Sequence, residues 1–221
     1  MSYVRWVQRK SQVKPAARVR GRPVGADSAL TRKRIVRAAR EVLNERGYSG
    51  MTFQAIAKFT DLSRPTLHYY FSSREELYEA ITEEARSVIS YCAGEALRST
   101  TLSGRLSAFV EAFRQVDGRD PSMMPFLVSA RLESQRNPEL RPLGGASPIR
   151  EFLRRLVDDA VRSGELTPDT RADAVTDMLQ VVLYGMAFHA AFSGGDLGAI
   201  TTQLISLFDR GLVPDDGDAP E

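Results

Sequence analysis

Three hydroxyl residues, each opening a helical pattern, constrain this chain more than any other feature. Thr52 precedes a short helix whose Ile56 and Ala57 point inward. Asp61-Leu62 then makes a tight turn, and Ser63 caps a second short helix carrying Leu67 and Tyr70. Ser73-Arg74-Glu75-Glu76 is a capping box, S-x-x-E, that starts a longer helix with Leu77, Ala80, Ile81, Val88, Ile89 and Cys92 inward. A hydroxyl at the cap accepts from backbone N–H groups that the first turn leaves unpaired. Upstream, Ile35, Ala38, Ala39, Val42 and Leu43 recur at i, i+3, i+4, i+7 and i+8 and predict an amphipathic helix that stops at Gly47. Two short helices joined by a tight turn and braced by a third make a helix-turn-helix.

The rest of the chain continues in helical period. Turn residues punctuate it at Gly104, Gly118 to Pro121, Asn137-Pro138, Gly144-Gly145, Gly164 to Pro168 and Gly194-Gly195. Ser147-Pro148 predicts a cap followed by proline at the first helical position, and the Thr170…Asp173 pair announces the next helix. No β-branched run is bounded by turn dipeptides, so the fold class is all-α. One cysteine, Cys92, and two histidines, His68 and His189, leave no multi-cysteine zinc site and no intrachain disulfide. No cofactor is expected. There is no phosphate-binding glycine loop and no nucleophile elbow, so an enzyme is not expected either; Cys92 reads as a small core residue. The apolar stretch from Val175 to Phe192 is broken by Asp177, Gln180 and His189 and reads as too short and too polar to span a membrane. With no signal peptide visible, the expected location is cytoplasmic.

Net charge is +2, yet the charges are segregated. Residues 1–72 hold 15 basic and 4 acidic residues, a balance of +11, while residues 73–221 hold 15 and 24, a balance of −9. That split places a polyanion contact in the first part. A basic second helix suits the major groove, where Arg64 can pair with guanine and Thr66 can offer a hydroxyl or a methyl. Lys33, Thr52, Gln54, Ser63, His68 and Tyr69 are further candidate DNA contacts, with Pro65 placed in the first turn, where its missing N–H costs little. Residues 1–26 carry seven basic residues and no acid, interrupted by Pro15, Gly21, Pro23 and Gly25. Within this arm Arg20-Gly21-Arg22-Pro23 matches an AT-hook core, whose arginines enter a narrow minor groove; a sequence-independent phosphate-attracting tail is the other reading.

Residues 31–80 resemble the TetR family of transcriptional regulators. The resemblance rests on Ile35-Val36-x-Ala38-Ala39, Gly47-Tyr48, Thr52-Phe53-x-x-Ile56-Ala57, the run Leu62 to Phe71, and Ser73 to Leu77. It implies DNA contacts at Thr52, Arg64, Thr66, His68, Tyr69 and Arg74. His68 stands where tyrosine is more usual, and Arg74 where lysine is common. The implied organisation is a disordered basic arm (1–28), a three-helix helix-turn-helix DNA-binding domain (29–75), a helical effector-binding and dimerisation domain (76–212) and a disordered acidic tail (213–221).

The acidic part is read mainly from its residues. One apolar helix near 149–162 carries Phe152, Leu153, Leu156 and Ala160; another near 172–192 is apolar on nearly all sides. The resemblance implies that two such helices pair across a two-fold axis, giving a homodimer interface at Phe152, Leu153, Leu156, Ala160, Val181, Tyr184 and Phe188; burial inside one subunit is the other reading. Phe109, Phe113, Met124, Phe126, Met178, Val182, Phe188 and His189 are candidate ligand contacts, although ordinary core packing explains such residues as well. A histidine on an apolar helix needs a partner: a ligand, a water or a carbonyl. Arg131 and Glu133 form either a structural pair or a polar handle. The expected function is a dimeric repressor released from a palindromic double-stranded DNA operator by a small hydrophobic effector. The alternatives are an activator and a ligand-independent nucleoid or scaffold protein. Arginine outnumbers lysine 26 to 4, which points to a GC-rich bacterial source.

Overall fold

A computed structural model describes residues 24–140 and 147–210 of the 221. The proposed arm motif Arg20-Gly21-Arg22-Pro23, the glycine pair 144–145 and the acidic tail lie outside the described residues. Nine α-helices and one 3₁₀ turn, Pro138–Leu140, make up the described residues, and no strand occurs among them.

Helices α1 (Val24–Gly50), α2 (Phe53–Thr60) and α3 (Arg64–Tyr70) form the head. Helix α1 begins at Val24, so residues 24–28, expected in the arm, are helical. Its regular part breaks at Gly47, where φ is 68° and ψ 178°, a conformation that side chains with a Cβ rarely adopt. The caps form as the sequence requires. Thr52 accepts from the Ala55 N–H at 3.1 Å and Ser63 from the Thr66 N–H at 3.2 Å. Ser73 accepts from the Glu76 N–H at 3.1 Å, but the Glu76 carboxylate reaches back to Ser72 rather than Ser73. The hydroxyl and N–H of Ser72 hold that carboxyl below its ordinary pKa. Ile35, Ala39, Val42, Ile56 and Leu67 are buried between the three helices. Arg34 adds a bond from its guanidinium to the Thr60 carbonyl at 3.1 Å, tying α1 to the end of α2.

Helix α4 (Arg74–Ala96) leads from the head into the body. There α5 (Leu102–Arg119), α6 (Met123–Arg136), α7 (Pro148–Ser163), α8 (Ala172–Ser193) and α9 (Leu197–Arg210) pack together. Helix α5 lies against α4 and α9, α7 against α8, and α6 bridges α8 and α1. Phe109 of α5 stacks on Phe152 of α7, with centroids 4.8 Å apart. Arg105 pairs with Asp159 at 2.7 Å across the same two helices, and it holds that carboxyl below its ordinary pKa. The two caps expected in the body, Ser147 and Thr170, make no bond to a first turn: Ser147 precedes α7 without one, and Arg171 occupies the cap position of α8. The start of α8 lies one residue beyond the expected Thr170 cap, which faces Thr167 instead.

Helix α8 also corrects the membrane expectation in one respect. At 22 residues it is long and apolar enough to cross a membrane. Its first turns carry Asp173 and Asp177, which pair with Arg154 and Arg150 of α7.

Candidate DNA-reading face and effector cavity

The second helix of the head presents one continuous exposed edge. Ser63, Arg64, Pro65, His68 and Tyr69 are exposed, Tyr69 to 82%, while Leu67 faces the core. Pro65 lies in the first turn of α3, as expected. The Ser63 and Thr66 hydroxyls lie 2.7 Å apart, which fixes both at the start of the helix. His68 stacks on Phe53 with centroids 4.2 Å apart, so its imidazole is held against the start of α2. Thr52, Gln54 and Lys33 are exposed on the neighbouring helices. Arg74, also an expected DNA contact, is part-exposed at the start of α4. Its guanidinium lies over the Tyr48 ring at 4.1 Å, beside the Glu75 carboxylate at 3.7 Å.

A buried polar seam joins the head to the body, and the sequence reading did not find it. Arg40 of α1 is fully buried. Its guanidinium donates to Glu84 of α4 and to the Ser122 hydroxyl, both at 2.8 Å, and pairs closely with Asp120. Asn44, one turn on, donates to the Ser122 carbonyl at 2.8 Å. Farther along α1, the Tyr48 N–H donates to Glu133 of α6 at 3.3 Å. A buried charge is tolerated only where partners replace water, and for Arg40 they come from α4 and the α5–α6 turn. The helical period marks Arg40 as inward, beside Ala39 and Leu43. A charged residue at such a position was the available signal.

Behind this seam the body leaves a cavity of about 60 Å³ with apolar walls. It lies between α5, α6 and α8, and Ile89 of α4, Ile149 of α7 and Leu197 of α9 also line it. Of the expected ligand contacts, Phe109, Phe113 and Met124 line it. Phe126 does not: it is buried against Tyr78, centroids 6.3 Å apart, on the seam side of α6. Val182 lines a separate space of about 10 Å³ with Leu106 and Leu204. Met178, Phe188 and His189 lie on the outer side of α8, since that helix turns only one stripe toward the cavity. The His189 imidazole occupies space that Gly195 leaves open, and a Cβ there would collide with it. Leu127, Val128, Leu183 and Ala187 line the cavity and were not among the expected contacts.

The expected interface residues divide the same way. Phe152, Leu153, Leu156 and Ala160 are buried within the subunit, because the apolar face of α7 packs inward. They have no surface to offer a partner. Tyr184 is a cavity wall residue beneath Arg131. Val181 is 71% and Phe188 53% exposed, and with Met178 and Phe192 they make an uncovered apolar stripe on α8. Leu207 and Phe208 of α9 are exposed as well.

Comparison with known proteins agrees with this architecture. Residues 35–81 match the family described as bacterial regulatory proteins, tetR family, and residues 103–211 match the BetI-type transcriptional repressor, C-terminal family. The HTH-type transcriptional regulator UidR of Escherichia coli is 28% identical over 163 residues, 71% of this chain and 79% of its own length. The HTH-type transcriptional activator FasR of Mycolicibacterium smegmatis is 37% identical over 110 residues, 48% of each chain. Among solved structures, the fatty acid degradation regulator FadR from Bacillus halodurans has a TM-score of 0.67 at 16% identity, over 84% of this chain and 97% of its own. FadR from Bacillus subtilis, solved in complex with stearoyl-CoA, has 0.65 at 17%, over 82% and 99%. These two similarities speak to the fold alone. With a capped helix-turn-helix, a helical body and a match to each part, the chain belongs to the TetR family of DNA-binding transcriptional regulators.

Proposed function

We propose that the protein is a homodimeric repressor that leaves a palindromic operator when a small apolar molecule enters the cavity between α5, α6 and α8. The observation that carries this reading is the cavity itself. Its walls are apolar, and α6, which forms one of them, is bonded to α1 of the head through Glu133. A volume of about 60 Å³ is small beside the few hundred Å³ of most ligand sites, so binding must part α6 from α5 or α8. Such a shift would strain the bonds that Arg40 and Tyr48 make with Asp120, Ser122 and Glu133, and thereby turn the head. The uncovered stripe of Val181, Phe188 and Phe192 supports pairing of two copies, and two copies place two reading heads on two half-sites. Arg64 and Thr66 would read base edges, with Ser63, His68, Tyr69 and Thr52 on phosphates. DNA binding of this kind places the protein in the cytoplasm.

Activation is a second reading, favoured by the similarity to FasR, whose name makes it an activator. The test is to select genomic fragments with the purified full chain and challenge the best fragment with apolar metabolites. Enrichment of a palindromic site, followed by release with a rise in melting temperature, is the expected result. Fragments lacking a palindrome would count against repression through a dimer. A palindromic complex that no apolar compound dissociates would favour a ligand-independent scaffold.

A further inference from the structure

One end of the cavity indicates the chemistry of its occupant; this inference rests on the cavity reading above. On α6 the wall residues are Met124, Leu127 and Val128. Arg131 follows at i+4 from Leu127 and i+3 from Val128, so it extends the same face. Its guanidinium stands over the ring of Tyr184, 5.7 Å from the centroid, and Tyr184 is itself a wall residue. The sequence left open a pairing of Arg131 with Glu133. Instead, Glu133 accepts from the Tyr48 N–H and from Asn137 on the seam side. No carboxylate among the described residues forms an ion pair with Arg131.

Helix α8 adds a second observation, on the face that carries the wall residues Leu183 and Ala187. Gln180 precedes Tyr184 by one turn and lies at i−3 and i−7 from the wall residues Leu183 and Ala187. Its side-chain oxygen is buried and has no hydrogen-bond partner. Folded proteins rarely leave a buried amide oxygen unmatched. The amide has only to turn to offer its NH₂ to an anion.

We propose that the effector is an amphipathic acid. Its apolar body lies against Phe109, Phe113 and Met124, and its acidic head pairs with Arg131 beside Tyr184 and Gln180. A guanidinium fork matches carboxylate and phosphate oxygens alike, so the shared chemistry is an anionic head on an apolar chain. The exposure of Arg131 leaves that head open to solvent, which lets a larger group extend beyond it.

The test uses three probes of one chain length, octanoate, octyl phosphate and octan-1-ol, titrated against the full-length protein by thermal shift and calorimetry. The expected result is at least tenfold tighter binding of one acid over the alcohol; the tighter acid identifies the head group. Arg131→Gln should remove that preference while keeping alcohol binding, and Arg131→Lys should restore part of it. Equal binding of acids and alcohol, or an unchanged preference in Arg131→Gln, overturns this inference but leaves the cavity reading intact. If none of the three binds, the cavity reading fails and this inference fails with it. Ala187→Leu, which fills the cavity, should abolish all three interactions; retention of any would place the site elsewhere.

Discussion

The head and the body are built from the same kind of helix but held together differently. In the head the helices are marked locally: Thr52 and Ser63 cap their starts, Asp61 turns left-handed at φ 55°, and Gly47 breaks α1. In the body Thr101 and Asp196 cap α5 and α9 in the same way, but Ser122, Ser147 and Arg171 stand at helix starts without capping bonds. The uncapped helices there depend on contacts between helices, such as Phe109 on Phe152 and Arg105 with Asp159. The head is thus specified locally at each of its helix starts, the body at only some of them, and the packing of the body leaves a hollow. Between them, Arg40 belongs to the sequence of the head and bonds to elements of the body.

The strongest challenge to this contrast is Arg40→Ala. Removing the guanidinium takes the shared cationic partner from Glu84 and Asp120 and leaves a buried void, and should lower unfolding stability by about 3 kcal/mol in urea titration. A loss below ~1 kcal/mol would mean that the seam does not join the two parts. Next, Arg64→Ala should weaken operator binding about tenfold to a hundredfold in gel-shift titration, by ~1–3 kcal/mol, with an unchanged melting temperature because Arg64 is exposed. Thr52→Ala probes local specification directly: loss of the cap to Ala55 should cost about 1 kcal/mol.

A subtler probe is Asp117→Asn in the body. Burial, more than the nearby Asp120, raises the Asp117 carboxyl pKa, and one of its oxygens is buried without a partner. Above its raised folded pKa the carboxylate is charged in both states, and the folded state carries the penalty. Below its ordinary value it is neutral in both and the penalty vanishes. Asp117→Asn should therefore raise the melting temperature at neutral pH, by up to about 1 kcal/mol of stability, and lose that advantage as pH falls below about 4. A constant difference at all pH values would contradict this. Smallest of all, Cys92, whose thiol burial pushes up to about 12, should resist alkylation at pH 8 until the protein unfolds.

What the sequence disclosed follows the same division. Caps, the Gly47 stop and the exposed edge of α3 were legible because each depends on residues within one or two turns. Ser63 caps α3 whatever packs behind it. Cavity walls and interface positions depend instead on which stripe of a helix faces which neighbour. Helix α8 has apolar residues on nearly every side, so its pattern did not distinguish Leu183, in the cavity wall, from Phe188, on the surface. Tyr184 and His189 exchange their expected environments for that reason. The apolar residues of α7 were visible, but whether they faced a partner copy or α5 and α8 was not. Arg40 was missed because its partners stand about 40 and 80 positions away.

The cavity's small size also governs time. A space of about 60 Å³ holds no more than a few waters, so on the proposed reading an effector enters only as α6 parts from α5 or α8. Effector capture then waits on the frequency with which the helices part. Its observed rate should rise with effector concentration, flatten, and level off at the opening rate instead of climbing toward the diffusion limit. The pace of the transcriptional response would thus be set by how tightly α6 is packed, and only its extent by how much effector is present.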